Sequence, residues 1–522
     1  MGKRLKITLI SLAVVIVLVA IGIIVAQNVV TSKIEHFLSN GLPKNVKLKY
    51  DTLDTNILAG NVSLQNPDII SYGKTTDSIN LKLKMQSLKI EGFSLWKYFF
   101  DNHIDIEKII FSQPQIEYYH NDAIEAKSYR PSQIENLKQE ISVKDSEIMD
   151  ANFTMQNAET DSLLLKTEKL DFHLSNIKLN KNTVKEKIPL HFETYNLSFS
   201  NLFYRVNAYD NLEVKNSNIS NENITFNQLK LYTKYSKQKL SRIIPVERDH
   251  FDLKIEKLTF GNQEFGFHKD SIFYFKSPKG EFINPVLNIY RDKLVTDDET
   301  VKSLYSKMLR NLNFELTLSE IMLKNAAINY SEKVKPESSA GMISFTNLNA
   351  TIKNLSNTYS TPEKTNLDID AIFMKSTPIK VNWYFDVNNV NDQFIFKAEI
   401  GRLPAQDLNP FSEPNLKVMF EGELLKTYFT IDGNFQNSTV DLRTNYDDFK
   451  VAVLDKDGKG KNKFLSAFAN LFIKKDTEKA EDNFREGYKK DIERDKTKSI
   501  FNFLWLNARS GLLSALTGDG KK

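Results

Sequence analysis

The sequence predicts a mostly β protein: an N-terminal transmembrane helix followed by an antiparallel sheet of repeated units, with short helices at the ends and between units. Three observations predict it. The N-terminus carries an uncharged apolar run, most of the remaining chain alternates apolar with polar residues, and one spaced apolar pattern recurs four times.

Nothing ionisable occurs from Ile7 to Ala26, where only Thr8, Ser11 and Gly22 interrupt Ile, Leu, Val and Ala. At about 1.5 Å per helical residue this run spans roughly 30 Å, the thickness of a hydrocarbon core. Its Ile, Leu and Val residues contribute on the order of −4 to −8 kcal/mol to insertion. Lys3, Arg4 and Lys6 precede the run, so residues 1–6 stay cytoplasmic and the chain beyond Val30 is exported. A cleaved signal peptide has a shorter apolar stretch closed by a pair of small residues, whereas here Ala20 and Gly22 lie inside the run. The segment therefore reads as an uncleaved anchor over 7–26, with Ile7, Ile16 and Ala26 at its start, middle and end. The exported β body covers 33–454 and a C-terminal helical segment covers 455–522.

The chain contains no cysteine, which removes disulfides, thiolate metal sites and a cysteine nucleophile. Seventy basic against 66 acidic residues leave a net charge of +4, which gives no nucleic-acid-binding field.

After an amphipathic continuation (Ile34, Phe37, Leu38) the period changes from 3.6 to 2. Ile79, Leu81, Leu83 and Met85 alternate with Asn80, Lys82, Lys84 and Gln86, so one face is apolar and the other wet. The same alternation runs through Val46 to Tyr50, Leu170 to Leu174, Phe345 to Leu355 and Val381 to Val387.

The recurring pattern is φ-x-φ-x-x-φ-x-φ-x-x-x-x-φ-x-φ, where φ is mostly apolar. Ile104, Ile106, Ile109, Phe111, Ile116 and Tyr118 fit it, as do Leu316, Leu318, Ile321, Leu323, Ile328 and Tyr330. Leu253, Ile255, Leu258, Phe260, Phe265 and Phe267 form a third copy; Ile141, Val143, Ser146, Ile148, Phe153 and Met155 form a looser fourth. The central double x changes the face that alternation would present and so requires a bulge. The four-residue gap, holding Gln113-Pro114-Gln115 or Gly261-Asn262-Gln263, suits a hairpin loop, making each unit a bent strand and a return strand.

Helices punctuate this pattern. Phe93 to Phe100 predicts a short apolar helix, and Asp297 or Asp298 caps a longer one with Val301, Leu304, Tyr305, Met308 and Leu312 on one face. After Leu454 a turn at Asp455-Lys456-Asp457-Gly458 leads into Phe464 to Ile473, and a charged, solvated stretch covers Lys474 to Lys498. Ile500 to Leu516 then forms a helix with Phe501, Leu504, Trp505, Ala508, Leu512 and Leu516 on one stripe. That helix either caps the β body or lies on a membrane.

No reaction chemistry is legible. The histidines are scattered without metal-ligand spacing, and Asp455 with Asp457 lacks the later ligands of a calcium loop. Neither a phosphate-binding glycine loop nor a nucleophile elbow occurs. The expectation is a non-enzymatic protein without cofactor or metal.

In order and pattern the chain resembles the AsmA-like proteins of Gram-negative envelopes, in the form found in Bacteroidetes. Carriers of the resemblance are the basic start and anchor, Tyr50-Asp51-Thr52-Leu53 with Ile57-Leu58-Ala59-Gly60, and Gly92-Phe93-Ser94-Leu95-Trp96 leading to Ile104-Asp105-Ile106 and Pro114-Gln115-Ile116. Ala327-Ile328-Asn329-Tyr330-Ser331-Glu332 before Gly341-Met342-Ile343-Ser344-Phe345 continues it. The tail runs from Leu408-Asn409-Pro410 through Gly433-Asn434 and Tyr446-Asp447-Asp448-Phe449-Lys450 to Val453-Leu454. The resemblance implies an inner-membrane anchor, a periplasmic body whose elongated sheet of repeats curls into a groove, and a role in moving lipids between envelope membranes or supporting outer-membrane assembly. Its partners would be the inner membrane, a phospholipid or other acyl lipid, and envelope proteins.

On the residues alone, the alternation favours a closed β-sandwich, in which the same side chains touch each other, over an open groove; the resemblance reverses that order, and the alternative is an anchored β-sandwich acting as a scaffold or binding module for envelope proteins. For a lipid groove the expected lining is apolar: Leu81, Leu83, Ile106, Phe111, Ile255, Phe260, Leu318 and Leu323.

Overall fold

The computed structural model describes residues 31–56, 58–73, 78–121, 139–268, 272–359, 363–454 and 484–517. The expected anchor over 7–26, the turn at 455–458 and the segment 464–473 lie outside the described residues. No helix among the described residues is long and apolar enough to cross a membrane. Two compact units divide the chain: Met1–Gln228 with Lys269–Ser271, and Leu229–His268 with Ile272–Lys522. Both are mostly β and mostly antiparallel.

The first unit opens with helix α1 (Thr31–Asn40), followed by collinear strands β1 (Val46–Lys49) and β2 (Thr52–Asn56). They lie antiparallel to β3 (Asn61–Gln65) and β4 (Asp68–Tyr72), with Asn56 opposite Asn61 and Val46 opposite Ser71. Next come β5 (Ile79–Lys84) and β6 (Ser87–Glu91), helix α2 (Leu95–Phe100), then β7 (His103–Ser112) and β8 (Gln115–His120). Ser94 caps α2 by accepting from the Lys97 amide. Three long strands complete the unit's main face: β9 (Glu140–Asn157), β10 (Leu163–Leu179) and β11 (Thr194–Arg205), with β12 (Asp210–Ser220) beyond them.

Here the hairpin expectation fails. The parallel strand β9 runs beside β7 and then β8 in one unbroken direction, with His103 opposite Glu140 and His120 opposite Asn157. Gln113 and Pro114 do not turn the chain back. Gln113 takes a left-handed φ of 51°, while its amide still donates to Met149 O at 2.8 Å and Asn152 N still donates to Pro114 O at 2.8 Å. Hydrogen bonding is therefore carried across the interruption, which bends one long strand in place. The Ile104 and Ile141 copies consequently lie side by side in register: Ile104 with Ile141, Ile106 with Val143, Ile109 with Ser146, Phe111 with Ile148, Ile116 with Phe153 and Tyr118 with Met155.

The interruptions of successive strands fall at one level. Asp51 N donates to Gln65 O, Asn66 N to Gln86 O, Gln86 N to Ser112 O and Gln113 N to Met149 O. Asp150, Lys169 and Asn201 carry the line onward with φ of 49–52°, and the register of β10 shifts beside them on both sides. The result is a transverse crease across the sheet. On its concave side Leu64, Ile69, Leu83, Leu88, Ile104, Phe111 and Met155 are 0–2% exposed in one continuous core. Leu38 of α1, Tyr98 of α2, and Val184 and Leu190 of the loop after β10 pack on this core.

The second unit repeats the device. It contains β13 (Asn223–Thr233, which begins before the boundary), α3 (Lys237–Ile243), β14 (His250–Gly261), β15 (Glu264–Phe267), β16 (Phe273–Ile283), β17 (Val286–Asp292) and α4 (Tyr305–Arg310). Strands β18 (Glu315–Lys333), β19 (Gly341–Ser356), β20 (Lys364–Phe373), β21 (Thr377–Asp386), β22 (Phe394–Ile400) and β23 (Leu403–Pro404) follow, then α5 (Asn409–Leu416), β24 (Val418–Gly433), β25 (Asn437–Val453), β26 (Arg485–Glu493) and α6 (Ile500–Thr517). Strands β14 and β15 form one line against β16 and β17, so Gly261-Asn262-Gln263 is no hairpin either. Asn262 takes φ 48° at that point.

The parallel strand β18 spans both β16 and β17, from Tyr274 opposite Glu315 to Asp292 opposite Lys333. Asn284, Asn325 and Asn347 supply the left-handed residues, with φ of 49°, 52° and 47°. Their amides form a ladder along the crease: Asn284 Nδ2 donates to Glu256, Asn325 Nδ2 to Asn284 Oδ1 at 2.8 Å, and Asn349 Oδ1 accepts from Asn325 N at 3.0 Å.

Three further expectations are corrected. The helix predicted from Asp297 or Asp298 covers only Tyr305–Arg310, with Leu304 at its cap; Asp298 instead accepts from Thr300 N at 3.0 Å and pairs with Lys302, closing a local turn. Part of the charged stretch expected to be solvated forms β26, paired antiparallel with β25. Helix α6 forms as expected and buries Leu504 and Leu516 of the expected stripe, but it also buries Ile500, Phe503, Asn507, Gly511 and Ser514 and leaves Phe501 and Trp505 exposed.

Asn and Asp tolerate the left-handed region at lower cost than other non-glycine residues, and a β-branched residue there costs on the order of 1–3 kcal/mol. Asn325→Gly is therefore expected to leave the urea midpoint nearly unchanged. Asn325→Val should lower it by an amount equivalent to about 1–3 kcal/mol; equal effects of the two changes would show that the crease imposes no conformational demand.

Candidate apolar trough

The repeat positions of the second unit share one face by register. Phe275 lies opposite Leu316, Ser277 opposite Leu318, Gly280 opposite Ile321, Phe282 opposite Leu323, Leu287 opposite Ile328 and Ile289 opposite Tyr330. These β16–β17 residues are a further copy of the pattern that the sequence concealed, because serine and glycine occupy two of its apolar places. Gly280 is open for a reason: a Cβ there would lie 3.0 Å from the Phe260 ring, which fills the space. Phe260 also packs edge-on against Phe275 and Phe282, with centroids 5.4 and 6.3 Å away.

The eight residues expected to line a groove all lie on the apolar faces, but they divide by exposure. Leu81, Leu83, Ile106 and Phe111 belong to the first unit's packed core at 0–3% exposure, where no ligand atom can touch them without opening that core. Ile255 and Leu318 of the second unit are also buried, at 3% and 7%. Phe260 and Leu323 are half-buried, as are Phe275, Phe282, Leu316, Ile328 and Phe345 around them, and Phe265 is exposed. These side chains on β14–β19 keep part of their apolar surface uncovered, although Leu323, Ile328 and Phe345 also pack against buried Ala326, Leu348, Ala350 and Ala371. Ile7, Ile16 and Ala26 lie outside the described residues.

Farther along the second unit the same face is closed. Trp383, Phe385, Phe394, Ile431 and Val440 are buried beneath Phe503 and Leu504 of α6 and Leu304 at the start of α4. Gly487 and Gly511 permit the close approach of helix and sheet, since a Cβ on Gly487 would lie 2.0 Å from Gly511 O. Charged contacts hold the start of α6: Lys498 Nζ donates to Asp297 Oδ2 at 2.8 Å and lies 3.7 Å from Glu247 Oε1, which also accepts from Lys293 at 2.8 Å. The hydrogen bond from Lys498 holds the Asp297 carboxyl below its ordinary range, Lys302 does the same for Asp298, and Thr497 for Asp495.

Concavities of about 520 and 620 Å³ are lined mainly by Asn, Gln, Lys, Asp and Glu and by none of the eight expected groove residues. Among the described residues no cluster of three or more metal-ligating side chains occurs. His173, His191 and His268 each face a single carboxylate, Asp145, Glu186 and Glu315 respectively, on separate parts of the chain. Burial and then Glu332 push the Tyr330 phenol far above its ordinary pKa, so it stays a neutral donor to Glu332 at 2.6 Å.

No protein-family model matches the chain, and no curated protein does.

Leucine-to-alanine changes discriminate core from trough. Leu83→Ala, at a fully buried site, should cost about 3–5 kcal/mol of unfolding free energy, whereas Leu323→Ala should cost about half that, because less covered area and a smaller cavity are involved. Denaturant titration measures both.

The depressed carboxylates at Asp297, Asp298 and Asp495 stabilise the fold fully above their unfolded pKa of about 3.9, and that contribution is lost as pH falls through their lower folded values. The thermal midpoint should therefore drop steadily below about pH 4, and Asp297→Asn should remove part of the slope.

Proposed function

We propose that this protein is a membrane-anchored, non-enzymatic β protein of the cell envelope that shelters or conducts acyl lipids along the apolar face of its second unit. The carrying observation is the run of half-buried Phe, Leu and Ile side chains on β14–β19, which leaves apolar surface wet where neighbouring regions are closed. A 16-carbon chain in water costs about 12 kcal/mol at roughly 0.8 kcal/mol per methylene. Completing the burial of these seven side chains, each already about two-thirds or more covered, returns on the order of 2–6 kcal/mol. This surface can therefore offset up to about half the cost of one acyl tail, and it does so without reaction chemistry. The anchor, the periplasmic location and the AsmA-like resemblance belong to the same proposal and rest on the sequence pattern.

The rival is an anchored scaffold or binding module for envelope proteins. It draws support from the first unit, where Leu81, Leu83, Ile106 and Phe111 have no room for a ligand.

Mass spectrometry of lipids co-purifying with the full chain separates the two. Leu323→Glu, placed on the half-buried surface, is expected to reduce bound acyl lipid several-fold relative to the parent. Equal lipid content in parent and variant, with both folded by circular dichroism, would favour the scaffold.

A further inference from the structure

One end of the first unit carries apolar side chains that its own core leaves uncovered. Leu58, in the turn between β2 and β3, is fully exposed, and Trp96 and Phe100 on α2 are each 69% exposed with their rings 4.3 Å apart. Turn and helix are joined: Phe93 N donates to Gly60 O at 3.0 Å, and Ser94 N to Asp105 O at 2.9 Å. Gly60 takes φ 66° with its α-carbon pressed on Phe93, where a Cβ would lie 2.3 Å from Phe93 O. The presentation is thus fixed by backbone contacts.

Register brings a second element to the same end. Ile104 pairs with Ile141 and Ile141 with Leu179, so the loop that follows Leu179 emerges two strands from the base of α2. That loop exposes Lys181, Lys185, Lys187 and Ile188, against a single acid, Glu186, which is engaged by His191 at 2.9 Å. Lys97 is paired with Asp105, and Asp101 stands at the C-terminal cap of α2.

The direction of α1 points the same way. Asn40 lies six residues before Val46, at the opposite end of the sheet; Glu35 is close enough to Tyr50 to help burial raise its phenol pKa; and the helix touches β2. Helix α1 thus runs antiparallel to β1 and β2, and Thr31 is directed toward the Leu58 end. Four residues separate Ala26 from Thr31, a span of at most about 18 Å from the apolar run to the helix.

Resting on the anchor proposed above, we infer that this end of the first unit seats on the bilayer that holds residues 7–26. Leu58, Trp96, Phe100 and Ile188 enter the head-group and upper acyl region, and Lys181, Lys185 and Lys187 face anionic head groups. Exposed tryptophan and phenylalanine beside lysine is the composition that partitions to this interface, and each lysine near an anionic surface adds about 1 kcal/mol of attraction.

The chain has no native cysteine, so single-cysteine reporters are unambiguous. Full-length protein carrying Leu58→Cys, or Lys44→Cys near the opposite end as reference, is labelled with an environment-sensitive fluorophore. It is then reconstituted in nanodiscs of phosphatidylethanolamine and phosphatidylglycerol with brominated acyl chains. The expected result is blue-shifted emission and several-fold quenching at position 58 with neither at position 44. Trp96 should be quenched likewise in a Trp383→Phe, Trp505→Phe background, which leaves the docking end unaltered. Identical, unquenched emission at both labels, in protein that resists alkaline extraction, overturns the docking while the anchor stands; release at alkaline pH overturns both. Neither result depends on acyl lipid co-purifying with the chain, so docking and lipid sheltering fail separately.

Discussion

A strand keeps its apolar residues on one face only while its two-residue period is unbroken, and many of this protein's long strands break that period, whereas β20 and β21 pair without a break. What makes the structure coherent is that the breaks coincide. Asn66, Gln113, Asp150, Lys169 and Asn201 in the first unit, and Asn284, Asn325 and Asn347 in the second, each take a left-handed conformation at the level of their neighbours' interruptions. An isolated bulge would shift one strand against the next and send its outer half to the wrong face. Aligned bulges shift neighbouring strands together, so registers resume on the far side and the sheet bends as a whole. The parallel pairs show this most plainly, since Phe111 with Ile148 before the crease is followed by Ile116 with Phe153 after it.

That bend sets what the apolar face can do. In the first unit it brings residues on both sides of the crease into one packed core, with Leu83 and Met155 at 0% exposure. In the second unit the aromatic pattern is bulkier and less completely covered. Phe260 fills the space over Gly280 and touches Phe275 and Phe282, while the same face farther along is covered by α6. Self-packed in the first unit, half-open and then helix-capped in the second, each apolar face takes its condition from what stands above it. A single Glu on this face has different consequences in each region, because only the half-open region lets a carboxylate reach water.

Much of this was legible in the sequence. Alternation through Ile79 to Met85 identified the inner face, and the double x between Ile106 and Ile109 required a bulge where Glu107 is passed over in the register. The gap at Gln113-Pro114 was not legible, because a hairpin and an in-line bulge draw on the same residues: polar, left-handed-tolerant and proline. What decides between them is the neighbour. With β9 running alongside in parallel, Met149 and Asn152 supply hydrogen-bond partners on both sides of the interruption. The missed copy on β16–β17 has a similar origin, since Gly280 is small only because Phe260, some twenty residues earlier, needs the volume.

The packing of α6 shows the limit of apolar periodicity most directly. Counting large side chains selects Phe501, Leu504, Trp505, Ala508, Leu512 and Leu516; of these Leu504 and Leu516 are buried, but so are Phe503, Asn507, Gly511 and Ser514, while Phe501 and Trp505 are exposed. Close approach is what small residues provide: Gly511 stands over Leu442 and Gly487 stands under Gly511, leaving no space for a side chain between them. Asn507 then satisfies itself inside the interface by accepting from Ser438 at 2.8 Å and donating to Phe503 O at 2.9 Å. A buried amide with both partners in place costs little and fixes rotation about the helix axis more sharply than another leucine would. Phe501 and Trp505 are turned outward by that choice, so the apolar outer edge of α6 is a geometric consequence of close docking and gives no support by itself to a membrane-bound helix.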